Sequence, residues 1–193
     1  AGKSTLLSVI SRLLSQDGGV VLVDEKNVTE YKSKVLAQRL SILKQSNHVR
    51  LKLTVRELVS FGRFPYSQEK LNKEDILMVD RAIDFLNLKD IENSYIDELS
   101  GGQKQRAYMA MVVAQDTEYI LLDEPFSGLD PLVRESIVKS LLTFIDFEKQ
   151  TVIIATHEID EIEAILDEVI AIYNGDIIGA ENVETIREEQ GYS

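Results

Sequence analysis

The sequence predicts an α/β domain built on a largely parallel sheet, and three observations carry that prediction. Short, wholly apolar runs such as Tyr119–Leu122 and Val152–Ala155 suit strands buried on both faces. Segments with apolar residues at helical spacing alternate with these runs along the chain. Both runs end in polar residues, Asp123-Glu124-Pro125 and Thr156-His157. Open parallel sheets bind ligands in the crevice beyond the carboxyl ends of their strands, so Asp123, Glu124 and His157 are expected at one edge.

In chain order, Leu6, Leu7, Ile10, Leu13 and Leu14 give a first helix, opened by Gly2-Lys3 and stopped by Gly18-Gly19. Val20–Val23 reads as a short strand, and Leu40–Leu43 as a second after the Tyr31–Arg39 segment. Between about 54 and 115 the character turns helical, with Val55–Val59, then Glu74–Leu88 with Ile76, Leu77, Val79, Ile83, Phe85 and Leu86 on an apolar face, then Gln103–Ala114. The sheet resumes with Tyr119–Leu122 and Thr151–Ala155. Val169–Tyr173, Asn174-Gly175 and Asp176–Gly179 form a hairpin, because Asn-Gly suits the positive φ of a two-residue turn.

A chain of 193 residues with 44% hydrophobic side chains is large enough to bury a core as one domain. Zero Cys excludes disulfides, Cys-ligated metals and thiol catalysis. No apolar run approaches the roughly 20 residues of a membrane-spanning helix. The net charge of −12 argues against a nucleic-acid partner, since phosphate neutralisation needs clustered Lys and Arg. Residues 1–123 carry 17 acidic and 17 basic side chains and residues 124–193 carry 16 and 4, so the whole excess lies in the last third. That break fits solvated acidic helix faces, as Glu158, Asp160, Glu161 and Glu163 suggest, or a join between two ancestors. The first residues, Ala-Gly-Lys-Ser-Thr, lack Met and a signal peptide and read as the start of a fragment.

Several strings carry chemistry. Gly2-Lys3-Ser4-Thr5 matches the end of a phosphate-binding loop, in which backbone amides and a helix N-terminus cradle phosphates. Lys3 would reach the β- and γ-phosphates and Ser4 would ligate Mg²⁺, although the same string is also an ordinary helix opening. Asp123, at the end of a buried strand, would hold the metal directly or through water, and Glu124 would orient or deprotonate the attacking water. An acidic loop capping the next helix is the plainer alternative. His157 would touch the γ-phosphate or that water. His48 has no such company and is assigned no role. Leu99-Ser100-Gly101-Gly102-Gln103 offers a hydroxyl and backbone amides to an anion at a helix start. A second phosphate site in one chain makes sense if this loop closes over the nucleotide of another subunit, in an isologous dimer with two composite sites.

Gly-Lys-Ser-Thr, Leu-Ser-Gly-Gly-Gln, Leu-Leu-Asp-Glu-Pro, Ser-Gly-Leu-Asp and Thr-His, in this order and spacing, resemble the ATP-binding subunit of an ABC transporter across the whole chain. The resemblance implies a P-loop ATPase core with a largely parallel sheet plus a helical subdomain. The helical part covers roughly 50–115, and the catalytic core covers 1–49 and 116–193. By motif, Gly2 to Thr5 match the end of the Walker A loop, Gln45 the Q-loop glutamine and Ser100, Gly101, Gly102 and Gln103 the signature. Asp123 and Glu124 match the Walker B aspartate and the glutamate after it, Asp130 the D-loop aspartate and His157 the switch histidine. In that family Gln45 approaches the metal where the helical subdomain meets the membrane subunit.

The implied ligands are ATP and Mg²⁺. The implied partners are membrane permease subunits and a second ATP-binding subunit, identical or not, at the cytoplasmic face of the cell membrane. The family pattern also places further glycines, a strand and an adenine-stacking aromatic before Gly2, so the resemblance implies an N-terminally truncated domain. Residues 36–114, with Leu43–Asn47, Ser60–Tyr66 and Gln103–Tyr108, are similar to ATPases of iron–siderophore importers. Phe126–Pro131 and Thr156–Glu161 look more like exporters of drugs or peptides, which suggests a mosaic. Iron-chelate uptake is the expected function; efflux, or a non-transport ATPase of the same core, is the alternative.

Overall fold

A computed structural model of the chain describes residues 2–45, 52–67, 70–157, 159 and 162–190. Helix α1 (Lys3–Ile10) is followed by an antiparallel pair, β1 (Leu22–Val23) and β2 (Lys26–Asn27), and by α2 (Ser33–Arg39), which runs directly into β3 (Leu40–Leu43). Four helices come next: α3 (Val55–Ser60), α4 (Phe64–Ser67), α5 (Lys73–Phe85) and α6 (Gly101–Gln115). The chain then forms β4 (Tyr119–Asp123), α7 (Pro131–Phe144), β5 (Thr151–Ala155), the hairpin β6 (Glu168–Tyr173) and β7 (Asp176–Asn182), and α8 (Val183–Gln190).

The central sheet is parallel in the order β3-β4-β5, with Leu43 beside Leu122 and Asp123 beside Ala155, so the carboxyl ends lie nearly flush. Successive side chains of a strand point to opposite faces. Along β4, Ile120 and Leu122 join the larger core with Leu58, Val79, Ile83, Met109, Val113 and Ile137. Leu121 faces the other way, into Leu7, Val28, Leu36 and Leu40. Helices thus cover both faces of β4, which is why its sequence is continuously apolar.

The helical layer is tied down by polar contacts. Thr54 and Glu57 form a capping box at the start of α3, and Asn72 and Asp75 form one at α5. The buried Arg63 donates from Nε to the buried Asp75 at 2.9 Å and from an Nη to the Ala114 carbonyl at the end of α6, also at 2.9 Å. Gly62 packs so tightly on α6 that a Cβ there would run into the Met111 carbonyl oxygen and stand 3.2 Å from the Gln115 amide nitrogen.

Four expectations change. The Val152–Ala155 run is not covered on both faces: Val152 and Ile154 pack on the larger core, whereas Ile153 on the other face is exposed, β5 being the edge of the parallel sheet among the described residues. The first helix ends at Ile10, with Ser11 as its cap and Arg12 at φ +59, and Leu13 and Leu14 are exposed. Ser11 Oγ donates to the Leu7 carbonyl at 2.8 Å, a local bond that competes with continuing the helix. The strand expected over Val20–Val23 shrinks to Leu22–Val23 and pairs with Lys26–Asn27, outside the parallel sheet. The helix expected over Glu74–Leu88 stops at Phe85, before Asn87 at φ +53. The hairpin turn at Asn174 and Gly175 has both φ angles positive, as expected. Gly62→Ala should destabilise the fold by about 1–3 kcal/mol, the usual cost of overpacking against backbone. Urea unfolding reads this as a lower midpoint, and an unchanged midpoint would contradict the packing at α6.

Candidate functional site

The site is built at the carboxyl ends of β4 and β5. Gly2, with φ +114, turns the chain into α1 and its carbonyl accepts the first helical bond, from Leu6 N–H at 2.9 Å. Lys3, Ser4 and Thr5 form the first turn, whose backbone N–H groups have no partner within the helix and carry the positive end of its dipole. Ser4 Oγ donates to Asp123 Oδ1 at 2.7 Å across 119 residues of chain, and Asp123 is 3% exposed at the end of β4. The two parts of the expected nucleotide site therefore meet.

Glu124 follows with φ +48, a left-handed conformation that costs a non-glycine residue about 1–2 kcal/mol. Its N–H donates to the Ala155 carbonyl at 2.7 Å, which ties the strained residue to the end of β5. Its Oε2 lies 2.8 Å from His157 Nδ1. The glutamate side chain is 11% exposed and the histidine 60%, so a mostly buried carboxylate is reached from solvent past an imidazole. A group that accepts a proton and a group that orients it are both present, as water activation requires.

Ser100 caps α6. Its Oγ accepts from Gln103 N–H at 3.3 Å while Gln103 Oε1 accepts from Ser100 N–H at 2.9 Å. Among the described residues no acceptor takes the Ser100 hydroxyl proton, and the open space around Gly101 leaves room for one. Gly102 packs toward Val133 and Leu129, so this end of α6 adjoins the start of α7. Among the described residues no hydrogen bond joins Ser100–Gln103 to Gly2–Thr5, the two strings expected to bind phosphate. Asp130 caps α7, its Oδ1 accepting from Leu132 and Val133 N–H at 3.1 and 3.0 Å, with Pro131 in the first turn. Gln45 lies exposed in a bend two residues beyond β3. His48, Glu158, Asp160 and Glu161 lie outside the described residues.

One link is absent from the sequence reading. Gln105 Nε2 donates to the Pro125 carbonyl at 2.7 Å, joining α6 to the loop after Glu124. Its partner lies 20 residues away in a loop with no periodicity, so no local pattern marks it.

The donor set suits Mg²⁺. No group of three or more His, Cys, Asp or Glu able to hold a metal occurs among the described residues, whereas one carboxylate and one hydroxyl already touch. Mg²⁺ is commonly held by one or two carboxylates and completes its shell with water and substrate phosphates.

A helix-opening Gly-Lys-Ser bonded to a strand-end aspartate, beside a Glu–His pair on a parallel sheet, defines a P-loop nucleotide-hydrolysing core. Comparison with known proteins narrows the class. The family model described as ABC transporter matches residues 1–127. The petrobactin import ATP-binding protein YclP of Bacillus subtilis is 46% identical over 178 residues, 92% of this chain and 71% of its own. The petrobactin import ATP-binding protein FatE of Bacillus anthracis is 46% identical over 186 residues, 96% of this chain and 74% of its own, so that likeness runs well beyond residue 126. The structure of cbiO1 from Clostridium perfringens, part of the ABC transporter complex cbiONQ, superposes with a TM-score of 0.80 at 31% identity, covering 98% of this chain and 76% of that one. This chain belongs to the ABC transporter family, as its ATP-binding, ATP-hydrolysing subunit. No helix among the described residues is long and apolar enough to cross a membrane.

Asp130→Ala should cost about 0.5–2 kcal/mol of stability through loss of the α7 cap, and Asp130→Asn should recover most of it. Thermal unfolding of the two variants without nucleotide checks this; equal stabilities would contradict the capping role.

Proposed function

We propose that this chain binds MgATP, pairs with a second ATP-binding subunit around two nucleotides, and drives uptake of an iron–siderophore complex through membrane permease subunits. The observation that carries the ATPase reading is the meeting of Ser4 with Asp123 beside the Glu124–His157 pair at one sheet edge. In this reading Gly2 to Thr5 hold the β- and γ-phosphates through the helix N-terminus and the Lys3 charge. Ser4 and Asp123 hold Mg²⁺, with Gln45 nearby at the junction with the helical part. The metal, when bound, neutralises charge on the phosphate oxygens.

Glu124 orients a water and takes its proton at Oε2, and His157 steadies that carboxylate through Nδ1. Phosphoryl transfer asks little covalent chemistry of the protein, so positioning and electrostatics carry most of the rate. Ser100, Gly101, Gly102 and Gln103 act on the nucleotide of the partner subunit, with Asp130 at the same contact. The helical subdomain spans roughly 50–115 and the core comprises the rest, and the permease holds the assembly at the cytoplasmic face of the membrane. Iron-chelate import is supported by the two petrobactin import relatives, each 46% identical over more than nine-tenths of this chain.

Glu124→Gln should lower ATP turnover by about 10²-fold or more while leaving MgATP binding and nucleotide-driven dimerisation intact. Unaltered turnover would remove Glu124 from its role. Ser100→Asn keeps a helix cap but loses the hydroxyl, and should weaken nucleotide-driven dimerisation by about tenfold with single-chain MgATP affinity unchanged. Equal losses in both would refute action on the partner's nucleotide. Deleting the gene should abolish ATP-dependent uptake of ferric siderophore; intact uptake with lost efflux of a drug or peptide would favour export.

A further inference from the structure

The string Ser60-Phe61-Gly62-Arg63-Phe64-Pro65-Tyr66 has no part in the proposed nucleotide site, yet at Gly62 it packs against the backbone of α6 near its end. Helix α6 carries Ser100 at one end. At the other, Gln115 leads through Asp116, left-handed at φ +54, into β4 and so to Asp123 and Glu124. The strand side of this turn is fixed, because buried Thr117 bonds Ser41 Oγ at 2.8 Å and the Tyr119 carbonyl at 2.9 Å. Asp116 is therefore the joint between the signature helix and the strand that bears the carboxylates.

Three side chains brace that joint. Arg63 donates to the Ala114 carbonyl at 2.9 Å, inside the last turn of α6. Tyr66 OH reaches the Asp116 carbonyl at 3.3 Å and the Gln38 carbonyl at 3.4 Å, and Gln115 Nε2 donates to the Ala37 carbonyl at 2.6 Å. Arg63 links the set: it is 5% exposed, bonds the 1% exposed Asp75 at the start of α5, and stacks on Tyr66 with its guanidinium carbon 3.9 Å from the ring centroid. One planar fork thus joins α5, the end of α6 and, through Tyr66, the segment leading into β3. A lysine, a point charge on a flexible stem, cannot make all three contacts at once.

We propose that Arg63 is a positioning residue for ATP hydrolysis: it sets the angle between α6 and β4, and so where Ser100 stands relative to Asp123 and Glu124. The lever is long. Fifteen residues of α-helix span about 22 Å, so a rotation of about 5° at the Gln115 end displaces the Ser100 end by about 2 Å. A displacement of 1 Å can cost about 10²-fold in a reaction that depends on alignment. The inference rests on the proposed action of Ser100 on a nucleotide.

The test uses the full chain, whose lack of native Cys lets two introduced thiols carry spin labels without background. The labels go at Asp97→Cys, exposed beside the Ser100 end, and Glu30→Cys, exposed near α2. Arg63→Lys and Tyr66→Phe are made in this background and in the unlabelled chain. For Arg63→Lys, the nucleotide-free label distance should broaden or shift by about 2 Å. Its kcat should fall by about tenfold or more while single-chain MgATP affinity stays within about twofold. Tyr66→Phe, which loses only a half-buried hydroxyl, should shift both readouts in the same direction by less, and it carries the test alone if Arg63→Lys does not fold.

Unchanged distances, changed distances with unchanged kcat, or a fall in kcat matched by an equal fall in MgATP affinity would each overturn the proposal. A parent chain without turnover would refute the ATPase reading instead, and the nucleotide-free distances would still decide whether Arg63 holds α6.

Discussion

Everything in the site depends on the carboxyl end of β4. The strand is buried on both faces and hydrogen-bonded on both edges, so Asp123 and Glu124 emerge from the most constrained stretch of the chain. Asp123 reaches back to Ser4 in α1 and Glu124 is tied through its N–H to the end of β5. Two segments far apart in sequence, α1 and the end of β5, are thereby fixed relative to one strand. The left-handed φ of Glu124 persists because the bonds around it over-determine its position.

The helical layer extends this economy. Ser100 and Gln103 close a capping box at the start of α6, so two side chains proposed to offer polar groups to a nucleotide also terminate the helix that presents them. Asp130 does the same for α7. At the far end of α6 the buried Arg63–Asp75 pair replaces water with carbonyl and carboxylate partners. Removing one member of such a pair commonly costs about 3–5 kcal/mol, because the other charge is left buried and alone. Polar groups in this fold are spent where helices start, stop or cross.

Much of this was legible in the sequence, for reasons that can be named. Tyr119–Leu122 is apolar without a break because helices cover both faces of β4, and its end, with that of Thr151–Ala155, marks the site, although Thr151 and Ile153 are exposed on one face of β5. β3 has the bounds expected for it, Leu40–Leu43. Asn174-Gly175 marked its turn through backbone conformation alone. The helix Pro131–Phe144 is not among the expected elements although Asp130-Pro131 is a strong start signal, because Asp130 enters the sequence argument only as part of a motif. Leu13 and Leu14 misled because apolar spacing does not register a serine side chain that bonds its own helix. The Arg63–Asp75 and Gln105–Pro125 bonds join residues that neither period 2 nor period 3.6 relates, so no pattern could announce them.

The central claim is that Gly2 to Ser4 and Asp123 form one MgATP site on this chain. Calorimetric titration with MgATP, run beside Lys3→Ala on protein of confirmed fold, tests it most directly. Binding near micromolar, about −8 kcal/mol, is expected in the parent, with its loss in the variant. Equal binding by both chains, or binding by neither, would contradict it.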